Sequence, residues 1–418
     1  MKLIVSQGRL GTIESAPFES VERKGLGHPD SIADMVAESF SSVYSRSGRR
    51  VFGSVPNHWV DKVVLEGAVS TCAFGSYTIE RPITAHLFGK VTRSVGDQSV
   101  DVDHMFDAVV RDIIGSTIKD RQIDQYVEST VHNTQGMAAD HPPGFYRPST
   151  VGDLPADDPR SHGSNDAVIA TGYAPLSVAE RLTLGLERIL TGELIQSQFP
   201  AIGTDVKVLT TRLGDSYDVL VCVPVVPDRV ASHDQYRAEL DALRPAVTLA
   251  AETALRALAG RRASLCINLN TKDRGESAYL APFGSSLGKG DIGVVGRGNR
   301  YNGLISPARS MNLEAVSGKN PLHHAGKLYN AVADILARRI YAELGVENTT
   351  TIVARNGDPL GDPATVAIDV AARHAPAPAI LRAMVERELS RLREYSEAFV
   401  ASDPTERFRN PDVALLPI

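Results

Sequence analysis

The sequence predicts an α+β fold in which β-sheets are covered by helices. Segments with a helical period alternate along the chain with β-rich runs, and hairpins that alternate with long helices are typical of layered domains. With 418 residues, 43% of them hydrophobic and 22% charged, the chain has the composition of a globular protein of roughly two to four domains. The predicted helices cover 30–45, 176–199, 236–258, 327–344 and 379–400, and the predicted strands lie in 205–226, 263–271 and 349–355.

The first helix follows Gly27-His28-Pro29-Asp30, in which a histidine, a proline and an acid precede the apolar pattern. A proline fits the first position of a helix, where its missing N–H has no intrahelical partner. The residues that share one face of this helix are Ile32, Val36, Phe40 and Val43. The motif therefore begins a helix, and the pattern leaves open whether His28 and Asp30 do more than cap it.

Several protein classes are disfavoured by composition. The net charge of −6 argues against a nucleic-acid-binding protein, which usually carries a strongly basic face. The longest apolar run, 219–226, is far below the ~20 residues of a membrane span, and the N-terminus resembles no signal peptide. Cys72, Cys222 and Cys266 lack the spacing of a zinc site, so we expect thiols packed in the core. A cytoplasmic enzyme without nucleic-acid or membrane partners is the expectation.

A glycine-rich stretch with excess positive charge is the main candidate for chemistry. Residues 284–303 contain seven glycines, and 284–327 contain six cations against two acids. Glycine lets backbone N–H groups approach a ligand, and cations placed before a helix suit a multiply charged phosphate chain. A plain flexible loop is the alternative. The cations are Lys289, Arg297, Arg300, Arg309, Lys319 and Lys327.

Asp30 and Asp291 stand beside these cations as candidate oxygen ligands of Mg²⁺, which often bridges one or two carboxylates and substrate phosphates. Each could equally be a solvated surface aspartate. The sequence has no nucleophile elbow, kinase signature set or His-Glu-x-x-His motif. We therefore expect a reaction that depends on positioning and charge more than on a protein nucleophile.

The chain divides approximately into an N-terminal segment 1–135, a proline-rich loop or lid 136–165, a central segment 166–283, and a phosphate-binding loop with the C-terminal segment 284–418. The loop prediction rests on residues 140–163, which contain five prolines and no periodicity. Loops of this length are usually functional or disordered.

Six stretches, in this order, resemble the archaeal-type S-adenosylmethionine synthetases (methionine adenosyltransferases). The resemblance extends from about residue 20 to 365. The matching stretches are "ERKGLGHPDSI" (22–32), "SND" (164–166), "GYAPLSVAERL" (172–182), "GTDVKV" (203–208), "VGRGNRYNGLISP" (295–307) and "SGKNPLHHAGKLYN" (317–330).

The resemblance implies that the sulfur of methionine attacks C5′ of ATP and expels triphosphate, which is hydrolysed to phosphate and pyrophosphate. A thioether has no proton to remove, whereas a multiply charged leaving group requires fixed cations and Mg²⁺. In this family His28 would stabilise the leaving oxygen and Asp30 would hold Mg²⁺. The phosphate-binding residues would be Arg297, Arg300, Lys319, His324 and Lys327, and those of the nucleoside or methionine side would be Asp166, Asp291 and Trp59.

The resemblance also implies three related α/β domains, interleaved in sequence, around a pseudo-threefold axis. Members form dimers with active sites at the subunit interface, so a homodimer is expected. Whether K⁺ is needed beside Mg²⁺ is left open.

The departures from the family pattern lie on the nucleoside and amino-acid side. After Asp166 the chain has 167–171, Ala-Val-Ile-Ala-Thr, where the family has Thr-Ser-Phe-Gly-Val. Its His-His-Asn-x-Asp is 57–61, Asn-His-Trp-Val-Asp, and its Gly-Asp-Asp-Gly is 290–293, Gly-Asp-Ile-Gly. Two alternatives therefore stay beside methionine adenosyltransfer: a relative that joins the nucleoside to another small nucleophile, and an inactive binding or regulatory homologue.

Overall fold

The computed structural model of the protein describes residues 1–8, 12–118, 120–134, 144–259, 263–371 and 375–412. Part of the predicted loop or lid, 136–143, lies outside the described residues, as does 413–418. The described residues form a mixed α+β structure of helices and several sheets, as the sequence predicts.

Three of the five predicted helices, α1, α5 and α6, are single long helices, and α1 begins at Pro29 as its motif predicts. The α-helices in the described residues are α1 (Pro29–Phe52), α2 (Val102–Thr117), α3 (Val178–Thr191), α4 (Glu193–Gln198), α5 (His233–Ala259), α6 (Ala325–Leu344), α7 (Pro378–Ser390), α8 (Leu392–Ala401) and α9 (Glu406–Arg409).

The strands are shorter and more numerous than the sequence indicates. They are β1 (Lys2–Gln7), β2 (Phe18–Lys24), β3 (His58–Trp59), β4 (Val63–Glu66), β5 (Val69–Ala73), β6 (Ser76–Arg81), β7 (Ile83–Val91), β8 (Ser94–Val95), β9 (Gln98–Ser99), β10 (Val127–Asn133), β11 (Val168–Ala174), β12 (Lys207–Leu213), β13 (Ser216–Cys222), β14 (Ser264–Leu269), β15 (Gly293–Val294), β16 (Asn348–Ala354) and β17 (Thr365–Val370).

Three larger sheets organise these strands. The N-terminal sheet has the order β10-β7-β4-β15, the central sheet β14-β13-β12-β2, and the C-terminal sheet β1-β17-β16-β11. The hairpin of the central sheet pairs Leu213 with Ser216 across the predicted Gly214 turn. Strands far apart in sequence share each sheet: β2 joins the central sheet and β1 the C-terminal one.

Each sheet packs one face against helices. Helices α1 and α2 contact the N-terminal sheet, α3 and α5 the central sheet, and α6 the C-terminal sheet. A separate cluster of buried hydrophobic side chains fills each of the three layers. The long helices therefore run through the interior, where they carry the polar groups described below.

Three expectations about local structure need correction. Helix 30–45 extends to Phe52, where Gly53 adopts φ 82° and ends it. The predicted helix 176–199 is two helices that break at Gly192, and 379–400 breaks at Arg391, whose backbone is not helical. Helix α2 has no counterpart among the predicted helices.

The cysteine prediction was wrong. Cys266 is exposed, and Cys72 and Cys222 are half-buried. On β13 the side chains of Tyr217, Val219 and Val221 face the core, so the two-residue period of the strand turns Cys222 to the opposite face. Among the described residues, no helix is long and apolar enough to cross a membrane.

Candidate active site

His28 caps α1 and presents one ring nitrogen outward. Its Nδ1 accepts a hydrogen bond from the backbone N–H of Asp30 at 3.1 Å. Burial, helped by the nearby Lys24 ammonium, lowers the pKa of His28 to about 3, so the ring is neutral at pH 7. A neutral ring that accepts at Nδ1 carries its proton on Nε2. His28 is therefore a fixed N–H donor at the positive end of a helix.

Asp30 lies in the first turn of α1 with both carboxylate oxygens occupied. Oδ1 accepts from the backbone N–H of Val294 at 2.9 Å, and Oδ2 accepts from Lys24 Nζ at 2.8 Å. The same ammonium donates to the carbonyl of Arg297 at 2.8 Å. Lys24, at the end of β2, thus joins the helix motif to the glycine-rich stretch.

Asp30 is the first of three acids that recur once per turn of α1. Asp34 Oδ1 accepts from the N–H of Gly296 at 3.0 Å, and Glu38 Oε2 accepts from the N–H of Gly318 at 3.0 Å. Residues four apart share one face of a helix, so these acids form one line, here called the α1 carboxylate row. The row holds the backbone of two loops that the sequence predicts to hold phosphate.

Several glycines of the stretch are required for this packing. A Cβ on Gly293 would lie 2.2 Å from the carbonyl oxygen of Pro29, and one on Gly298 would lie 2.8 Å from Asp34 Oδ2. The loop can approach α1 so closely only where it has no side chain. We expected the glycines to free N–H groups for a ligand, but the N–H groups of Val294 and Gly296 bind α1 instead.

A cavity of about 460 Å³ opens beside His28. Asp205 is buried in its wall and accepts hydrogen bonds from the N–H and Oγ of Ser286. Burial raises the pKa of Asp205 to about 6. The polar side chains that line the cavity include His28, Asp205, Lys207, Lys272, Tyr279, Lys289 and Asp291. The mixture of acids and cations suits a ligand that carries both charges.

The N-terminus of α6 repeats the capping arrangement. His324 Nδ1 accepts from the N–H of Gly326 at 3.1 Å, and burial holds the pKa of His324 well below its ordinary value. The ring of Trp59 contacts that of His324 edge-on at a centroid distance of 5.9 Å, and Lys90 Nζ lies 5.0 Å from the Trp59 ring centroid. A second neutral histidine therefore caps a second helix, beside the only tryptophan of the chain.

The two lysines of this region are buried and paired. Lys327 Nζ donates to both carboxylate oxygens of Glu38, at 2.7 and 2.8 Å, and both side chains are almost fully buried. Burial opposes the charged form of Glu38, but the cations of Lys327 and Arg407 outweigh it and lower its pKa. Lys319 forms an ion pair with Glu314 and lies 3.8 Å from Asp61.

Residues 405–412, here called the C-terminal strap, insert a third cation beside this pair. Arg407 is only 7% exposed, and its guanidinium donates to Ser317 Oγ at 3.2 Å and lies 5.0 Å from the Tyr301 ring centroid. Three arginines bind the strap's main chain: Arg23 donates to Phe408 O, Arg188 to Arg409 O, and Arg338 to Pro411 O. Two of them come from the central layer, on β2 and α3, and the third from α6 of the C-terminal layer, so the strap joins these two layers.

The structure brings the predicted site residues into two groups. His28, Asp30 and Arg297 meet at the start of α1, with Asp291 in the cavity wall. The second group contains Trp59, Lys319, His324 and Lys327, and the exposed Asp166 follows Asn165, whose side chain accepts from Ala325 N. Arg300 lies between them and donates to the carbonyls of Gly296 and Gly298.

The two groups lie at different levels of α1. At a rise of about 1.5 Å per residue, His28 and Glu38 are about 15 Å apart along the helix axis. Arg297 is exposed, and no side-chain partner accompanies it in the described parts of the chain. One group is therefore open to a ligand, whereas the cations of the other already have carboxylate partners.

The donor set around Asp30 fits an ion that arrives with its ligand. Among the described residues, no three His, Cys, Asp or Glu side chains cluster as a metal site. Mg²⁺ keeps several waters and is usually held by one or two carboxylates and substrate phosphates, not by a cage of protein groups. A single carboxylate at a helix N-terminus is enough for that arrangement.

The sequence did contain signals for three residues that we did not single out. Asp34 and Glu38 continue the four-residue spacing of Asp30, and Lys24 lies within the motif that identifies the helix start. Asp205 had a fourth such signal, because it lies in the matching stretch 203–208, whereas Arg407 had none, because only the path of the chain brings it to the site.

The chain is similar to known proteins of one family. A family model described as S-adenosylmethionine synthetase (AdoMet synthetase) matches residues 1–403. The S-adenosylmethionine synthase of Aeropyrum pernix is 35% identical over 97% of this chain and 99% of its own length. That of Pyrococcus furiosus is 32% identical over 86% of each chain. An unusual S-adenosylmethionine synthetase from Campylobacter jejuni shares the fold, with a TM-score of 0.57 at 14% identity over 95% of this chain and 98% of that one.

Proposed function

Because the chain belongs to the S-adenosylmethionine synthetase family, we propose that it makes S-adenosylmethionine from ATP and methionine. The sulfur lone pair forms a bond to C5′ of ATP, and the C5′–O bond breaks with its electrons on the triphosphate. The triphosphate is then hydrolysed to phosphate and pyrophosphate. The sulfur of the product carries the positive charge, so no proton leaves the nucleophile.

The observation that carries this proposal is the neutral, capped His28. Its Nε2–H is held at a helix N-terminus on the wall of a cavity that also contains Asp291. Negative charge develops on the oxygen that leaves C5′, and a preorganised donor stabilises it without reorganisation. His28 does this by donating a hydrogen bond. Its low pKa keeps the ring neutral at pH 7, so it has no imidazolium proton to transfer.

The phosphate-binding role is assigned to Arg297, Arg300, Lys319, His324 and Lys327, with Mg²⁺ held by Asp30. The ion would neutralise charge on the leaving triphosphate. Exposed Arg297 has the most direct access to a phosphate chain. Lys319 and Lys327 contribute positive potential through their paired, buried charges. Asp166, Asp291 and Trp59 are assigned to the nucleoside and methionine side, and a K⁺ requirement stays open.

We also propose that the active unit is a homodimer with sites at the subunit interface. The two groups of site residues are about 15 Å apart along α1. A second subunit would therefore be needed to bring the first group of one chain opposite the second group of the other. Each of the three sheets exposes a large apolar side chain on its face away from the helices: Phe88, Ile169 and Leu213 are 40%, 63% and 66% exposed. Symmetric dimers commonly pair such faces.

The domain division and location remain proposals of the same kind. Three sheets, each with its own helices and buried cluster, support three related domains around a pseudo-threefold axis. The boundaries at 135, 165 and 283 are approximate, since β1, β2, β11 and β15 lie in sheets with distant partners. A cytoplasmic location follows from the family's substrates.

One assay tests the activity and its alternatives. The purified chain is incubated with ATP, Mg²⁺ and methionine, and products are identified by mass spectrometry. S-adenosylmethionine with phosphate and pyrophosphate supports the proposal. Triphosphate release that requires a different amine or thiol would favour the relative with another nucleophile, and no turnover with any nucleophile would favour an inactive homologue. The relatives favour neither alternative.

A further inference from the structure

We propose that Lys24 exchanges partners during binding: its ammonium neutralises Asp30 in the empty protein and moves to the phosphate chain when Mg²⁺ takes the carboxylate. The inference rests on the proposed function, because it assigns a further phosphate ligand to that site. Neither the sequence motifs nor the family match gives Lys24 this role.

The contacts of Lys24 divide into a fixed base and a movable tip. Its backbone N–H donates to Asn299 Oδ1 at 2.9 Å, and its carbonyl accepts from Asn299 Nδ2 at 2.7 Å. Among the described residues, the tip binds only Asp30 Oδ2 and the Arg297 carbonyl, each at 2.8 Å. A lysine ammonium is a compact charge on a flexible four-carbon stem, so the tip can move while the base stays clamped.

The same oxygen cannot serve both cations. Asp30 Oδ1 accepts from the N–H of Val294, so Oδ2 is the oxygen at which Lys24 and a metal would compete. Lys24 occupies Oδ2 at hydrogen-bond distance, and an ammonium and Mg²⁺ side by side would repel each other. Binding of the ion therefore requires the ammonium to leave this oxygen.

The contact between Lys24 Nζ and the Arg297 carbonyl indicates where the ammonium would lie after it leaves Asp30. Arg297 is the exposed cation of this group, and its carbonyl holds Lys24 Nζ at the same edge of the site. Lys24 also lies close enough to His28 to lower the pKa of that histidine. A phosphate chain that reaches both His28 and Arg297 passes within reach of the Lys24 side chain, which is then free to donate to it.

A static ion pair is the competing account. If this pair, whose side chains are 15% and 10% exposed, stayed closed while ligands bound, removal of Lys24 would change Mg²⁺ affinity no more than removal of a cation that lines the cavity beside His28. The exchange predicts effects of opposite sign. Removal of the ammonium frees Asp30 for Mg²⁺, and the same removal deprives the phosphate chain of a cation.

The experiment measures binding by isothermal titration calorimetry, using MgCl₂ alone and inorganic tripolyphosphate in EDTA. For Lys24→Met we expect Mg²⁺ to bind about threefold to tenfold more tightly than to the wild type, and tripolyphosphate about tenfold more weakly. Asp30→Asn should abolish the gain in Mg²⁺ affinity. Weaker or unchanged Mg²⁺ binding to a folded Lys24→Met protein would overturn the exchange.

A matched control separates local exchange from a general change of potential. Lys272 lines the same cavity, and the described residues give it no carboxylate partner. Lys272→Met removes the same charge from the cavity, so Mg²⁺ affinity should stay near the wild-type value. Equal tightening in both lysine variants would contradict a specific role for Lys24. These titrations need no turnover, so the exchange can hold even if the synthesis assay fails, and the reverse.

Discussion

The N-termini of α1 and α6 carry the same cap in opposite surroundings. His28 and His324 each accept a backbone N–H two residues on at 3.1 Å, and both rings are neutral. The α1 end opens into a cavity of about 460 Å³, whereas the α6 end is buried among ion pairs. Similar residues thus serve two purposes: one end presents a donor to a ligand, and the other holds charge inside the protein.

The buried pair at α6 is where a substitution should have the largest effect. Lys327→Met leaves the carboxylate of Glu38 buried without its partner, and breaking such a pair costs about 3–5 kcal/mol. We expect the free energy of unfolding, measured by urea denaturation, to fall by that amount. The double variant Lys327→Met with Glu38→Gln is the control, since an amide still accepts from Gly318 N and carries no charge. Equal stability of the single and double variants would show that the charge of Glu38 is not the cause.

Asparagine at each histidine separates capping from chemistry. Asparagine is a good N-cap, so both helices should keep their ends and both variants should melt close to the wild type. We expect His28→Asn to lower kcat by ~10²–10³-fold, because a donor to the leaving oxygen is lost. His324→Asn should mainly raise the KM for ATP, because its site holds charge for the end of the phosphate chain that is far from C5′. Steady-state kinetics measures kcat and KM for both variants. An equal loss of kcat in both would contradict the different roles of the two helix ends.

The smallest expected effect per residue is a loss of stability in acid, to which each of four buried histidines should contribute. Burial lowers the pKa of His28 and His323 to about 3 and that of His58 to about 4. It also holds the pKa of His324 well below its ordinary value. Their folded-state pKa lies below the unfolded value of 6.5, so this stability is present above pH 6.5 and falls as the pH drops towards 4. At one unit below 6.5 each histidine costs about 1.4 kcal/mol.

Four acids, Glu19, Asp34, Asp205 and Asp334, oppose this trend, because burial raises the pKa of each. Burial raises the pKa of Asp34 and Asp205 to about 6, so their protonation in the folded state adds stability as the pH falls through 6. At pH 5.5 each histidine is a full unit below its unfolded pKa of 6.5, whereas Asp34 and Asp205 are only about half a unit below a folded pKa of about 6, so we expect the melting temperature to be lower at pH 5.5 than at pH 7.5. In the asparagine variants of His28 and His324, the decrease in melting temperature between pH 7.5 and pH 5.5 should be smaller, because each variant lacks one of the four histidines. A melting temperature that rises in acid would contradict the assignment of neutral rings.

Local rules predicted the start of the site well. Pro29 at the first helical position and the acids of the first turn follow from the sequence, and so does the hairpin around Gly214. The glycine-rich stretch packs against α1, and this use in packing was not foreseen. Close approach between Gly298 and Asp34 is a tertiary contact between segments more than two hundred residues apart, which no local pattern encodes.

Pairing was the property that the sequence could not supply. Lys327 was predicted as a phosphate ligand because of its charge and its motif, and nothing near it in sequence identifies Glu38 as its partner. Likewise, Asp30 was predicted to hold a metal without Lys24 in the way. Residue types indicate which groups take part in a site, whereas burial and partners decide which of them are free.

The C-terminal strap has a consequence for when the protein becomes competent. Arg407 follows Asp34 and Glu38 by more than 360 residues in the sequence, yet its charge helps to compensate both acids. Domains generally fold as units, the N-terminal ones first during synthesis. The interior of α1 therefore stays short of one cation until the strap has been made and has packed against it.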